Sequence, residues 1–386
     1  MTSAAAPSSV TGVRTASRSA APYRIMVVDD SAVIRGLLTR SLEADPDLAV
    51  IVSVGDGQMA LNALQRHDVE IIILDIEMPV MDGLTALPKI VAAKPGVPVL
   101  IASTLTRRGA TVSLKALALG AADYVTKPGS SALTTADDFK RELVGKVKGL
   151  AQARRQARGE PVPSPAASGV GEVAAAPASV ARASEIRLRP LPGDRPDVVA
   201  IGCSTGGPQA LFRLLKSLIG VKQPILITQH MPATFTTILA EHISRLTGLA
   251  AAEATDGEPI SASRVYIAPG DYHLLVEAQS TMRRLRLNKG PPENFCRPSV
   301  DPMLRSLAQV YGRRVLSVIL TGMGHDGLRG GEALVAAGSG VVAQDEKTSI
   351  VWGMPGAVAM AGLCSAVLPI DELGPFISRV AGRAST

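Results

Sequence analysis

Ile25-Met26-Val27-Val28-Asp29-Asp30-Ser31 decides how the first half of this chain is read: four apolar residues run directly into two carboxylates and a hydroxyl. A short, unbroken apolar run bounded by acidic residues reads as a strand buried on both faces and ending at a polar edge. The pattern returns at Val50-Ile51-Val52, Ile71-Ile72-Ile73-Leu74, Val97 to Ala102 and Tyr124-Val125. Amphipathic segments such as Ser31 to Glu43 and Thr111 to Leu119 lie between these runs. Strands alternating with helices in this way predict a doubly wound α/β unit around a five-stranded parallel sheet.

In such a sheet, ligands sit beyond the carboxyl ends of the strands. The first strand ends in Asp29-Asp30, the third in Asp75, the fourth near Ser103, and the fifth runs into Lys127-Pro128. Three clustered carboxylates repel one another, so the set makes sense around a hard divalent cation; Mg2+, which keeps several waters, suits it. A strand-end carboxylate taken singly can equally cap the following helix. The whole set resembles the receiver domain of two-component response regulators, on V-V-D-D-S (27–31), L-D-I-E-M-P-V-M-D-G (74–83) and T-K-P (126–128). That resemblance covers residues 23–145 and implies a flavodoxin-like fold in which Asp75 accepts a phosphoryl group from a histidine kinase. It also implies that Asp29 and Asp30 help Asp75 to hold Mg2+, that Lys127 pairs with the phosphoryl oxygens, that Ser103 is the switch hydroxyl and that Tyr124 is the switch aromatic. Thr104 is the poorer candidate for the hydroxyl, because neighbours on a strand face opposite ways.

The chain has 386 residues, which suits two domains. From Gly159 to Pro196 it is rich in Ala, Pro, Ser, Gly and Val and holds no aromatic residue. Such a composition predicts a flexible linker, so the expected layout is an extension over 1–22, a receiver over 23–145, a helix end and linker over 146–195, and a second domain over 196–384. The formal charge of +6 invites a nucleic-acid reading, but five of those excess charges fall in the extension and in residues 151–195. Solvated tails are the simpler explanation. Cys203, Cys296 and Cys364 form no C-x-x-C pair, no apolar run has the length of a membrane span, and residues 1–22 lack the apolar centre of a signal peptide. A cytoplasmic protein that does not insert into membranes is expected.

The second block restarts with Asp197 to Ile201, a glycine-rich turn and a helical pattern from Pro208 to Leu218. Further strands are expected at Ile225 to Thr228, Val265 to Ala268, Val315 to Leu320 and Gly340 to Ala343, with a hairpin at His273 to Leu287, which makes a second, mainly parallel doubly wound unit. Gly202-Cys203-Ser204-Thr205-Gly206 matches the G-x-S-x-G elbow that exposes a nucleophilic serine between a strand and a helix. A phosphate loop is the competing reading, but Pro208 stands where a Walker A loop needs Lys. A serine needs a base. His230 follows an apolar strand, His242 lies mid-helix, His273 starts a hairpin strand, and His325 in a glycine-rich loop competes with His230. Asp326, again after a strand, completes a triad or else caps the next helix. No histidine follows Asp326, so an order ending in His would need Asp256 or Asp271 as the acid.

The segments A-I-G-C-S-T-G-G-P (200–208), I-T-Q-H-M-P (227–232), Y-I-A-P-G-D-Y-H (266–273), R-P-S-V-D (297–301) and I-L-T-G-M-G-H-D-G (319–327) resemble the chemotaxis protein-glutamate methylesterases. By that resemblance Ser204, His230 and Asp326 are the triad. The chain would hydrolyse glutamate methyl esters on chemoreceptors and deamidate receptor glutamines, with no cofactor for the esterase reaction. A docked receiver would obstruct the site until phosphorylated. Backbone N–H groups at Thr205 and Met323 are the oxyanion-hole candidates. A Cys203 nucleophile, a receiver-regulated binding module and a methylesterase-like enzyme outside chemotaxis remain as alternatives. A DNA-binding output is disfavoured by the lack of a basic helix face. A monomer is expected.

Overall fold

The computed structural model describes residues 20–127, 136–163, 186–280 and 282–382. The extension before residue 20, Pro128 and most of the expected linker lie outside the described residues.

The first unit runs β1 (Tyr23–Val28), α1 (Ala32–Glu43), β2 (Leu48–Val54), α2 (Gly57–Leu64), β3 (Ile71–Asp75), α3 (Gly83–Ala93), β4 (Val99–Ser103), α4 (Arg107–Ala118), β5 (Asp123–Thr126) and α5 (Ala136–Ala157). Its strands lie in the order β2-β1-β3-β4-β5, all parallel. β3 and β4 are buried along their whole length, as strands covered by helices on both faces must be. Short polar side chains start the helices on the ligand edge: Ser31 accepts from the Ile34 N–H and Thr106 from the Gly109 N–H.

The second unit runs β6 (Val198–Cys203), α6 (Gly207–Lys216), β7 (Ile225–Gln229), α7 (Ala233–Thr247), β8 (Ala250–Glu253), β9 (Arg264–Ile267), β10 (His273–Gln279), β11 (Met282–Asn288), α8 (Val300–Tyr311), β12 (Val315–Ile319), α9 (Leu328–Ala336), β13 (Gly340–Gln344), α10 (Met354–Met360), β14 (Ala366–Leu368) and α11 (Ile370–Ala381). Seven parallel strands in the order β14-β13-β12-β6-β7-β9-β8 form its sheet, and β10 and β11 form a separate antiparallel hairpin. β6 lies at the centre, between β12 and β7. The chain leaves β6 toward β7 on one side and returns through β12 on the other, so the loops after these three strands share one crevice. Gly202, at the end of β6, lets α8 approach: a Cβ there would stand 2.6 Å from Val300 Cγ1.

The two units pack against each other. The Tyr124 ring stacks on Phe235 of α7, with centroids 4.5 Å apart and planes 9° apart. Gln209 of α6 donates to the Ala121 carbonyl at 2.6 Å, and Arg107 of α4 pairs with Glu241 of α7 at 2.7 Å. Met323 rests on the glycines of α5, where a Cβ on Gly145 would come within 2.9 Å of its Cε.

Candidate functional site

Asp29, Asp30 and Asp75 converge at the receiver edge, with one oxygen from each within 4.8 Å of the others. Lys127 Nζ lies 2.6 Å from Asp29 Oδ2 and 2.8 Å from Asp75 Oδ1. One ammonium for three carboxylates leaves excess negative charge, and an all-oxygen donor set of this kind suits Mg2+. Burial pushes the Asp75 carboxyl above the usual range; Lys127 works against this and Asp29 adds to it. Ser103 donates to the Gly109 carbonyl at 3.2 Å. Tyr124 is buried, with Lys146 Nζ 4.8 Å from its ring centre.

At the edge of the second sheet, Ser204 follows β6, His230 follows β7 and Asp326 lies in the loop after β12. The strand register explains the convergence, since β6 pairs with β7 on one side and with β12 on the other. Gly206, at φ 75°, makes the left-handed turn that starts α6 directly after the serine. Ser204 is half-buried, its N–H donates to the Thr321 carbonyl, and Gly322 packs on its Cβ. Among the described residues its Oγ makes no hydrogen bond.

His230 Nε2 lies 2.7 Å from Asp326 Oδ2. Asp326 is 1% exposed, yet fully satisfied. Its oxygens accept from the N–H groups of Val300, Asp301 and Gly327, from Ser299 Oγ and from Asn294 Nδ2, at 2.6 to 3.0 Å. Burial alone would raise this carboxyl; the His230 contact and these donors hold it well below the usual carboxylate range. Burial would lower the proton affinity of His230, but the Cys296 sulfur and the Asp326 carboxylate outweigh it and raise the imidazole to about 10.

The other candidates separate by position. His325 is exposed, His242 sits on α7 beside Arg245, and His273 is tied between the Pro291 carbonyl and the Ser299 N–H. Asp256 is engaged by Arg286 and Asp271 by Arg297. Cys203 turns into the core toward the Thr228 carbonyl, where burial pushes its thiol up and makes it a poor nucleophile. The Thr205 and Met323 backbone N–H groups have no acceptor among the described residues. Four residues at the site carry no individual role in the sequence reading: Asn294, Cys296, Ser299 and Asp301. The R-P-S-V-D segment was the only signal for two of them. Asp301 accepts from the Gly327 and Gly330 N–H groups at the start of α9, and Asn294 links its carboxylate to that of Asp326.

Residues 199–377 match the family model described as CheB methylesterase, and residues 25–136 match the response regulator receiver domain. The protein-glutamate methylesterase/protein-glutamine glutaminase of group 2 operon from Rhodospirillum centenum is 58% identical over 94% of this chain and 95% of its own. The chain belongs to this methylesterase family. A protein-glutamate methylesterase/protein-glutamine glutaminase from Azospirillum brasilense is 57% identical, over 94% of each chain. Among solved structures, the Thermotoga maritima CheB methylesterase catalytic domain is 38% identical, with a TM-score of 0.47 over 48% of this methylesterase and 98% of that chain. No helix among the described residues is long and apolar enough to cross a membrane.

Proposed function

We propose that this chain is a phosphorylation-controlled serine hydrolase. It removes methyl esters from glutamate side chains of chemoreceptors, releasing methanol, and deamidates particular receptor glutamines, releasing ammonia. The observation that carries the reading is the 2.7 Å pair of His230 and the buried Asp326 at the strand edge that also presents Ser204. In the reactive state, neutral His230 takes the Ser204 Oγ proton as that oxygen attacks the acyl carbon. Asp326 stays ionised in its cage of donors and stabilises the imidazolium that forms. The Thr205 and Met323 N–H groups are assigned to the developing oxyanion. The imidazolium then protonates the ester oxygen or amide nitrogen as it leaves, giving methanol or ammonia. A water molecule, deprotonated by the same nitrogen, attacks the acyl-serine, and that proton passes to the departing Ser204 oxygen to give glutamate and free enzyme. The absent Ser204–His230 hydrogen bond fits a resting site that tightens only around substrate.

Residues 23–145 act as the receiver, 146–195 as the end of α5 and a connecting segment, and 196–384 as the catalytic unit. A chemotaxis histidine kinase phosphorylates Asp75, and the chain works in the cytoplasm as a monomer. Mg2+ held by Asp29, Asp30 and Asp75 would neutralise phosphoryl charge during the transfer. Docking through Tyr124 and Met323 keeps the receiver against the catalytic rim. Phosphorylation draws Ser103 from the Gly109 carbonyl, frees Tyr124 from Phe235 and opens the site. A fluorophosphonate probe tests the nucleophile directly. Labelling at Ser204 is expected in the intact protein, and none in Ser204→Ala; a folded protein left unlabelled at Ser204 counts against the reading.

A further inference from the structure

In the proposed mechanism His230 works through Nδ1, because Nε2 faces Asp326. That nitrogen is already engaged: Cys296 Sγ lies 3.4 Å from it. The contact belongs to a built turn. Glu293 and Cys296 exchange backbone hydrogen bonds at 3.1 and 2.9 Å, and between them Asn294 and Phe295 take positive φ angles of 52° and 62°. Non-glycine residues rarely adopt that conformation. The same turn delivers Asn294 to Asp326, so a single loop touches both the base and its acid partner. Cys296 is half-buried, whereas Cys203 and Cys364 are buried.

We propose that Cys296 is a positioning residue for the hydrolase: its sulfur occupies Nδ1 of His230 in the resting enzyme and must yield that nitrogen before the Ser204 proton can move. The proposal rests on His230 being the base. Nδ1 is occupied whichever of the two atoms carries the shared proton. The other ionisable groups around the ring are Asp326 and, behind it, Asp301 at the start of α8; Glu293 is paired with Arg305, and Arg141 of α5 lies over Phe295. The carboxylate favours the protonated ring, and so does the sulfur when it accepts from Nδ1–H, so Cys296 restrains the base that Asp326 orients.

The test compares intact wild-type protein with Cys296→Ala and Cys296→Ser. The acidic limb of kcat/KM against pH moves down by roughly half a pH unit or more in Cys296→Ala, and by less in Cys296→Ser, whose oxygen can still accept from a protonated Nδ1. A second measurement needs no turnover: the rate of Cys296 alkylation by iodoacetamide, followed by peptide mass spectrometry across pH. In the wild type it shows a step that follows His230, and His230→Gln removes that step. An alkylation profile unchanged by His230→Gln, or identical acidic limbs in all three proteins, overturns the proposal. Full turnover by Ser204→Ala would instead sink the triad, while the alkylation step survived.

Discussion

Tyr124→Ala offers a quantitative test of receiver control. The substitution removes a ring stacked 4.5 Å from Phe235 in the contact between the two units. Such a stack contributes about 0.5–1.5 kcal/mol beyond burial of the ring, and the apolar surface adds roughly 1.5–3 kcal/mol. The exposed Arg107–Glu241 pair adds little and is left intact. Docking should therefore weaken by roughly 2–4 kcal/mol, a shift of about 30- to 1,000-fold at 1.4 kcal/mol per factor of ten. A protein open about 1% of the time would then be open for roughly a quarter to nine-tenths of it. Methanol release from methylated receptors, without phosphodonor, should rise at least about tenfold, and added phosphodonor should then gain little. Circular dichroism and phosphorylation of Asp75 check that the receiver still folds. Wild-type basal turnover by a folded, phosphorylatable Tyr124→Ala protein would refute the docking argument.

Other outcomes follow from single contacts. Asp326→Asn leaves the shape but ends the charge pairing with His230; kcat should fall by about 10^4, read by methanol release. Since the Asp326 carboxyl is held low in the folded protein, its stabilising contribution is present above about pH 4, the ordinary Asp value, and fades as pH falls through the depressed folded value. The wild type should accordingly lose more Tm on acidification than Asp326→Asn in thermal melts. Asp75 has the opposite sign: burial raises it, so its ionised form costs stability near neutral pH. Mg2+ should raise Tm in the wild type and do so less in Asp75→Asn, which also loses activation by a phosphodonor. Gly202→Ala forces a methyl to 2.6 Å from Val300, whose N–H holds Asp326, and should cost roughly 1–3 kcal/mol in denaturant melts and lower kcat.

Much of both sheets was legible because a strand buried on two faces has nowhere to place polar residues, as Ile71 to Leu74 and Ile225 to Leu226 illustrate. β8 and β14 were not foreseen: each sits at a sheet edge, one built from Ala250-Ala251-Ala252 and half-exposed, the other three residues long. Short edge strands carry neither an apolar run nor a clear alternation. The site divides in the same way. Ser204, His230 and Asp326 follow apolar strands, so topology alone sets them at one rim. Asn294 and Cys296 come from the irregular stretch between β11 and α8, where positive φ angles on Asn294 and Phe295 aim the side chains and no periodicity reports it. Met323 was singled out for its backbone N–H; its side chain also packs on α5, a contact no local pattern could carry.

The Ser204 hydroxyl is the group on which the proposed chemistry depends. Methanol release from methylated receptors, with phosphodonor present, measures this directly in wild type and Ser204→Ala. Release by the wild type and loss of nearly all of it in a folded Ser204→Ala protein is the predicted result; equal release by the two would contradict it.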